Sequence, residues 1–121
     1  MLKDNVERVR QRIARACQRC GRDPSSVTVV AVTKGVPVER IREAIGLGLT
    51  ELGENRVQEA QDKHAQLASV RPALRWHLIG HLQRNKAKHA VELFDVVHSI
   101  DSSALIDALE QHAAKRRGAA W

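Results

Sequence analysis

The stretch "VTVVAVTKGVP", Val27 to Pro37, decides how this chain is read. Its first six residues, Val27 to Val32, are all β-branched or small. Such a run predicts a strand over Val27–Thr33 that is buried on both faces, as the strands of parallel sheets are. The strand ends in Lys34, then Gly35, with Pro37 shortly after. An ammonium group at the end of the most apolar strand has two readings. It is a solvated lysine that lays its stem along apolar surface, or it is a reactive group set at the mouth of a site.

Upstream, Asp4 with Glu7 three residues on predicts a capping box that opens a helix. Val6, Val9, Ile13, Ala16, Cys17 and Cys20 follow at helical spacing, and Gly21 and Pro24 end it. Downstream, Pro37 suits the first position of a helix whose stripe is Val38, Ile41, Ala44 and Ile45. A short strand is expected near Leu49–Leu52, broken by Gly53. Val57, Ala60, His64 and Leu67 mark the next helix, with Arg71 and Pro72 as punctuation. "LRWHLIG", Leu74 to Gly80, reads as a third strand, and Ala87, Ala90, Val91 and Phe94 as a third stripe. "FDVVHSI" is the fourth strand. The last helix takes Asp101 or Ser102 as N-cap and turns Leu105, Leu109 and Ala113 inward, with basic residues in its last turn and Gly118 as a stop.

A helix followed by four strand–helix units predicts an α/β fold with parallel strands joined by right-handed crossovers. Four units are half of a (β/α)8 TIM-type barrel, which takes about 250 residues. Residues 1–121 are therefore expected to form one partial barrel domain. A half barrel leaves two open strand edges, so self-association is expected.

With 121 residues and 43% hydrophobic content, the chain holds a single core. No run approaches the ~18 apolar residues of a membrane span, and the opening "MLKDNVERVRQR" has no signal-peptide core and reads as cytoplasmic. Two cysteines do not make a disulfide framework. The net charge of +6 invites a nucleic-acid reading. However, residues 1–26 carry seven Lys/Arg against three Asp/Glu, and the rest of the chain carries thirteen against eleven. With one Phe, two Trp and no Tyr, there is also little on which bases could stack. A basic leading helix that binds RNA or acidic partners stays as a secondary reading.

In parallel α/β folds the active site gathers at the C-terminal ends of the strands. Lys34, Gly53-Glu54-Asn55, Gly80-His81, Ser99 and Asp101 fall at those ends. A lysine pressed against apolar walls loses part of its preference for the charged form, and a neutral amine can form a Schiff base with an aldehyde. A glycine beside it allows close approach. Asn55, three residues before Gln58, also reads as a helix N-cap. His77 inside a strand also reads as a hydrogen-bonded core residue. His77 and His81 have H-x-x-x-H spacing, but metal pairs of that spacing need a helix, so no metal is expected there. Cys17 and Cys20 lack the second pair of a zinc site and read as two thiols on a helix. "QRNKAK", Gln83 to Lys88, reads as a solvated helix face.

Taken together, "VAVTKGVP", "ELGENRVQEA", "RWHLIGHLQRNKAK" and "VHSIDS" resemble the successive signature segments of the pyridoxal phosphate homeostasis family (YggS/PROSC type), in its order and spacing. The resemblance implies an alanine-racemase-like barrel that holds pyridoxal 5′-phosphate at its mouth. It implies an internal aldimine on Lys34, with Asn55 and His77 near the cofactor. It further implies a carrier or regulator of vitamin B6 rather than a catalyst. A racemase- or decarboxylase-type enzyme is the alternative, but that needs an acid/base partner which no residue here clearly supplies. Family members are about twice as long, and their later strands supply the phosphate clamp.

Overall fold

The computed structural model describes residues 1–70 and 73–114. Arg71 and Pro72, the basic run Lys115–Arg117 and Gly118 lie outside the described residues. The elements are α1 (Leu2–Cys20), β1 (Ala31–Val32), α2 (Val38–Gly46), β2 (Glu51–Glu54), α3 (Val57–Gln66), β3 (Arg75–Leu78), α4 (Ala87–Leu93), β4 (Val96–Val97) and α5 (Ser103–Ala113). Short 3-10 turns at Pro24–Ser26 and Arg84–Lys86 lead into β1 and α4. The four strands form one sheet in the order β1-β2-β3-β4, and every pair is parallel. This is the α/β architecture of half a TIM-type barrel, as the alternation of periods predicts.

The register assigns each residue to a face. Leu52, Trp76 and Leu78 project to the helical side, with Leu52 beside Trp76 and Glu54 beside Leu78. There they meet Ile41 and Ile45 of α2, Ala60 of α3, Ala87, Ala90 and Val91 of α4, and Leu105 and Leu109 of α5 in one buried cluster. Phe94, just past α4, is fully enclosed in it. The predicted stripes of α2, α4 and α5 all contribute to this core. Leu67 closes the lower end behind α3. Asp95 fixes the register of the last pair: its carboxylate accepts the Trp76 N–H at 2.8 Å, and its own N–H donates to the Trp76 carbonyl at 2.8 Å.

Local signals at the helix ends mix success and correction. Gly21 ends α1 with φ 72°, the left-handed conformation that glycine adopts without a Cβ penalty. Ser102 caps α5 by accepting the Leu105 N–H at 3.1 Å, which settles the choice between Asp101 and Ser102. The capping box at Asp4 and Glu7 does not form. Helix α1 begins at Leu2, so Asp4 sits within its first turn, 3.8 Å from the N-terminal amine. Pro37 is the N-cap of α2 rather than its first residue. Of the predicted α1 stripe only Val6 and Cys17 are buried, whereas Val9 and Cys20 are exposed. Arg10 ties helix α1 to the loop after α2 by donating to the Leu47 carbonyl at 2.8 Å.

Two strand expectations are corrected by position in the sheet. The expected strand Val27–Thr33 pairs as a strand only at Ala31–Val32, and it is not buried on both faces: Val32 is 52% exposed. Strand β1 has one pairing neighbour among the described residues, so its other edge is unpaired, and Val32 stands exposed on its inner face. Gly53 does not break β2, which runs through it to Glu54. A Cβ there would meet Val30 Cγ1 at 3.1 Å and Ile79 Cδ1 at 3.4 Å, so the glycine makes room for side chains of both neighbouring strand segments.

Candidate functional site

The candidate site lies on the face of the sheet away from the helices and at the C-terminal ends of the strands. The aligned row Val32, Gly53, His77 and Val96 marks the top of the inner face. Lys34 and Asn55 follow two residues above this row, and Gly80, His81 and Ser99 stand in the neighbouring loops. All the strand-end residues singled out in the sequence thus share one end of the sheet.

Lys34 is the second residue of a tight turn. Val36 N–H donates to the Thr33 carbonyl at 3.0 Å, and Gly35, the third residue, has φ 71°. A positive φ at that position is what a type II turn demands, and glycine supplies it. A Cβ on Gly35 would meet nothing within 4 Å, so the turn, not close packing, explains the glycine here. The Lys34 side chain is exposed. The apolar walls expected around it are not formed by the described residues.

Beneath this turn lies a buried charged cluster. Lys63 of α3 turns inward and is only 6% exposed. Its ammonium donates to Glu59 Oε2 at 2.7 Å, to Glu54 Oε2 at 3.0 Å, and to the Thr33 carbonyl. Those are three partners for three donors. Thr33 donates its hydroxyl to Glu54 Oε2 and its N–H to the Gly53 carbonyl at 2.9 Å. Glu59 Oε2 also accepts the Gly35 N–H at 2.6 Å. The Lys63 ammonium, and then the Gly35 N–H, hold the Glu59 carboxyl below its ordinary value of 4.5. Glu54 is fully buried, and its Oε1 has no hydrogen-bond partner among the described residues.

Asn55 does not cap α3, whose N-cap is Arg56. It packs instead against Gly80: its side-chain and backbone oxygens occupy the place where a Cβ on Gly80 would sit. Gly80 in turn accepts the Ser99 hydroxyl through its carbonyl. His81 Nδ1 stands 3.4 Å from Asp101 Oδ2. The loops after β2, β3 and β4 are therefore tied side to side.

His77 projects from β3 into the inner face and is buried with both ring nitrogens engaged. Nε2 lies 2.7 Å from Glu51 Oε1, and Nδ1 lies 2.9 Å from His98 Nε2. His77 donates from Nε2 to the Glu51 carboxyl oxygen, and the tautomers of the two imidazoles set the direction of the bond between them. Glu51 also stands 3.8 Å from Arg75 Nη1. The result is a polar chain, Glu51–His77–His98, across three strands. Both nitrogens of the buried His77 ring are thus committed within the protein. Among the described residues no group of three or more His, Cys, Asp or Glu side chains is placed to hold a metal ion.

The sequence points to Lys34, Asn55 and His77. The structure brings Lys34 and Asn55 to one end and sets His77 one pleat lower, about 7 Å along the strand direction. Sequence alone does not single out Lys63, Glu59 and Glu51. A lysine on the apolar side of α3, one turn after Ala60 and Glu59, was the available signal; only burial reveals its partners. Gln83–Lys86 and Lys88 are exposed, as a solvated helix face requires.

No protein-family model matches the chain. The pyridoxal phosphate homeostasis protein of Pseudomonas aeruginosa is 41% identical over 110 residues, which span 91% of this chain and 47% of that protein. The protein of the same name from Escherichia coli K12 is 46% identical over 99 residues, 80% of this chain and 42% of its own length. Among solved structures, PipY of Synechococcus elongatus with pyridoxal phosphate bound superposes with a TM-score of 0.73 at 46% identity, covering 86% of this chain and 49% of PipY. A protein from Bifidobacterium adolescentis gives a TM-score of 0.79 at 35% identity, covering 94% of this chain and 50% of the other. The chain spans about half the length of the curated relatives it matches.

Proposed function

The chain resembles the N-terminal half of the pyridoxal phosphate homeostasis proteins, and from that premise we propose that it binds pyridoxal 5′-phosphate and serves vitamin B6 homeostasis, with Lys34 as the attachment point. The observation that carries this reading is the placement of Lys34: an exposed amine on a fixed turn at the C-terminal end of the first strand. Lys34 would hold the cofactor by its aldehyde carbon, the neutral Nζ giving up both its protons to the aldehyde oxygen, which would leave as water. The bound cofactor would supply a reversible carbon–nitrogen link and an electron-withdrawing ring.

The residues present fit the aldehyde end of this cofactor better than its phosphate. Barrels of this kind bind phosphate in the loops after the seventh and eighth strands, and this sheet has four strands among the described residues. Asn55, in the loop after β2, and His77, on the inner face of β3 with its ring fixed by Glu51 and His98, would lie near the cofactor. Carriage is favoured over turnover, because the polar groups beside Lys34 are engaged in holding the backbone. Sustained racemisation or loss of an amino acid in the presence of the cofactor would reverse that preference.

A cytoplasmic location accords with this role; among the described residues no helix is long and apolar enough to cross a membrane. Nucleic acid is not part of the proposed role. Self-association through the open edges of β1 and β4 is part of it. The support is the exposure of Val32 and an apolar groove of about 560 Å³ beside β4, lined by Val97, Ile100, Ile106, Leu109 and Ala113. Sedimentation should show species larger than the monomer at high concentration, and a clean monomer would overturn this part.

The attachment is tested by mixing the chain with substoichiometric pyridoxal phosphate, reducing with borohydride, and mapping the modified peptide beside Lys34→Ala. Label concentrated on Lys34 and absent from the variant is the expected result. Label spread evenly over the lysines would refute the reading.

A further inference from the structure

We infer that Lys63, acting with Glu54 and Glu59, is the positioning residue that clamps the backbone on both sides of Lys34 and so gives this one lysine its selectivity. The inference rests on the attachment proposed above.

The bonds fall on the turn and spare its second residue. On the N-terminal side, Thr33 is held through all three of its polar groups: N–H to Gly53, hydroxyl to Glu54, and carbonyl to Lys63 and Val36. On the C-terminal side, the Gly35 N–H is held by Glu59 at 2.6 Å. Lys34 lies between two fixed peptides, while its side chain stays exposed. Its Cα is fixed and its amine is free to meet a ligand.

Stability alone does not explain this arrangement. A buried ion pair often gains nothing over apolar residues of the same volume, and here Glu54 buries a carboxylate oxygen that has no partner among the described residues. A leucine at position 63 would extend the stripe that Ala60 and Leu67 already make. What the charged cluster supplies, and an apolar one would not, is directional bonds to the end of β1 from α3 and from the end of β2.

The test compares wild type with Lys63→Met, with Lys63→Arg, and with the double change Glu54→Gln/Lys63→Met, which removes both buried charges together. Each is labelled as above with substoichiometric pyridoxal phosphate, and its urea midpoint is measured in parallel. The chain has six lysines. Without Lys63, even labelling of the remaining five would leave about one fifth of the label on Lys34. The expected result is a fall from a dominant share towards that even share in Lys63→Met and in the double variant, with the double variant still folded. Lys63→Arg, which keeps the cation, should recover most of the selectivity. Amide exchange at Gly35 should be about tenfold faster in Glu59→Gln, the loss of one charge-assisted hydrogen bond. Even labelling already in wild type defeats the attachment proposal itself. Selective wild-type labelling that persists in the double variant, with Gly35 exchange unchanged in Glu59→Gln, overturns the inference and leaves the attachment standing.

Discussion

Replacing Gly80 by alanine adds one carbon at the contact between the loops after β2 and β3. Gly80 is not among the glycines with positive φ, so its backbone accepts alanine and the cost is steric alone. The added Cβ falls on Asn55: Cγ would lie at 2.8 Å, with both Asn55 oxygens closer still. One of those oxygens belongs to the backbone, so a rotamer change cannot clear the clash and the loop itself must shift. Overpacking of this kind costs about 1–3 kcal/mol, and the loss of unfolded-state freedom on Gly→Ala returns about 0.4–1 kcal/mol. The net expectation is about 1–2 kcal/mol of destabilisation, a fall in Tm of about 4–8 °C for a domain of this size. Gly46→Ala is the control: nothing lies within 4 Å of its Cβ, and its φ is not positive. The same added carbon there should raise Tm by about 2–4 °C. Thermal denaturation by circular dichroism, checked by urea midpoints, reads both. If Gly80→Ala melts with wild type, or if the two variants shift in the same direction, the packing of Asn55 on Gly80 is not as described.

The remaining expectations concern the core and pH. Phe94→Ala, which empties the fully enclosed site behind α4, should cost about 3–5 kcal/mol and lower the urea midpoint without changing the slope; a loss under about 1 kcal/mol would mean the site collapses freely. Glu59 has a folded value below 4.5, so the folded state binds fewer protons than the unfolded chain in that range. Its contribution to stability is therefore complete above pH 4.5 and is lost as pH falls through the lower folded value. Urea midpoints between pH 6 and 3 should converge for wild type and Glu59→Gln as pH falls, and parallel curves would reject the assignment.

The fold was legible because its signals are local. The stripes of α2, α4 and α5 recur within single helices, and each predicted residue of those stripes is buried or packs against the core. Gly21 could be placed for the same reason: left-handed backbone is a property of one residue. The signals that misled were also local. Asp4 and Glu7 have capping-box spacing, yet the helix is capped three residues earlier, at Met1. Asn55 and Gln58 have cap spacing, yet Asn55 serves the contact with Gly80 instead.

By itself, then, the sequence determined the order of helices and parallel strands, the inward faces of most helices, and the set of residues at the strand ends, because each depends on period and nearest neighbours. Tertiary structure decided the rest. The apolar run at Val27–Val32 is half exposed because β1 lies at the edge of the sheet, a fact about neighbours rather than composition. Lys63 is buried because carboxylates from β2 and α3 and the Thr33 carbonyl converge on it, the last 30 residues away in the chain. His77 meets partners 21 and 26 residues distant. Charge and hydrogen bonding act through space at a few ångströms, and only the parallel register of the folded sheet brings those groups within that distance.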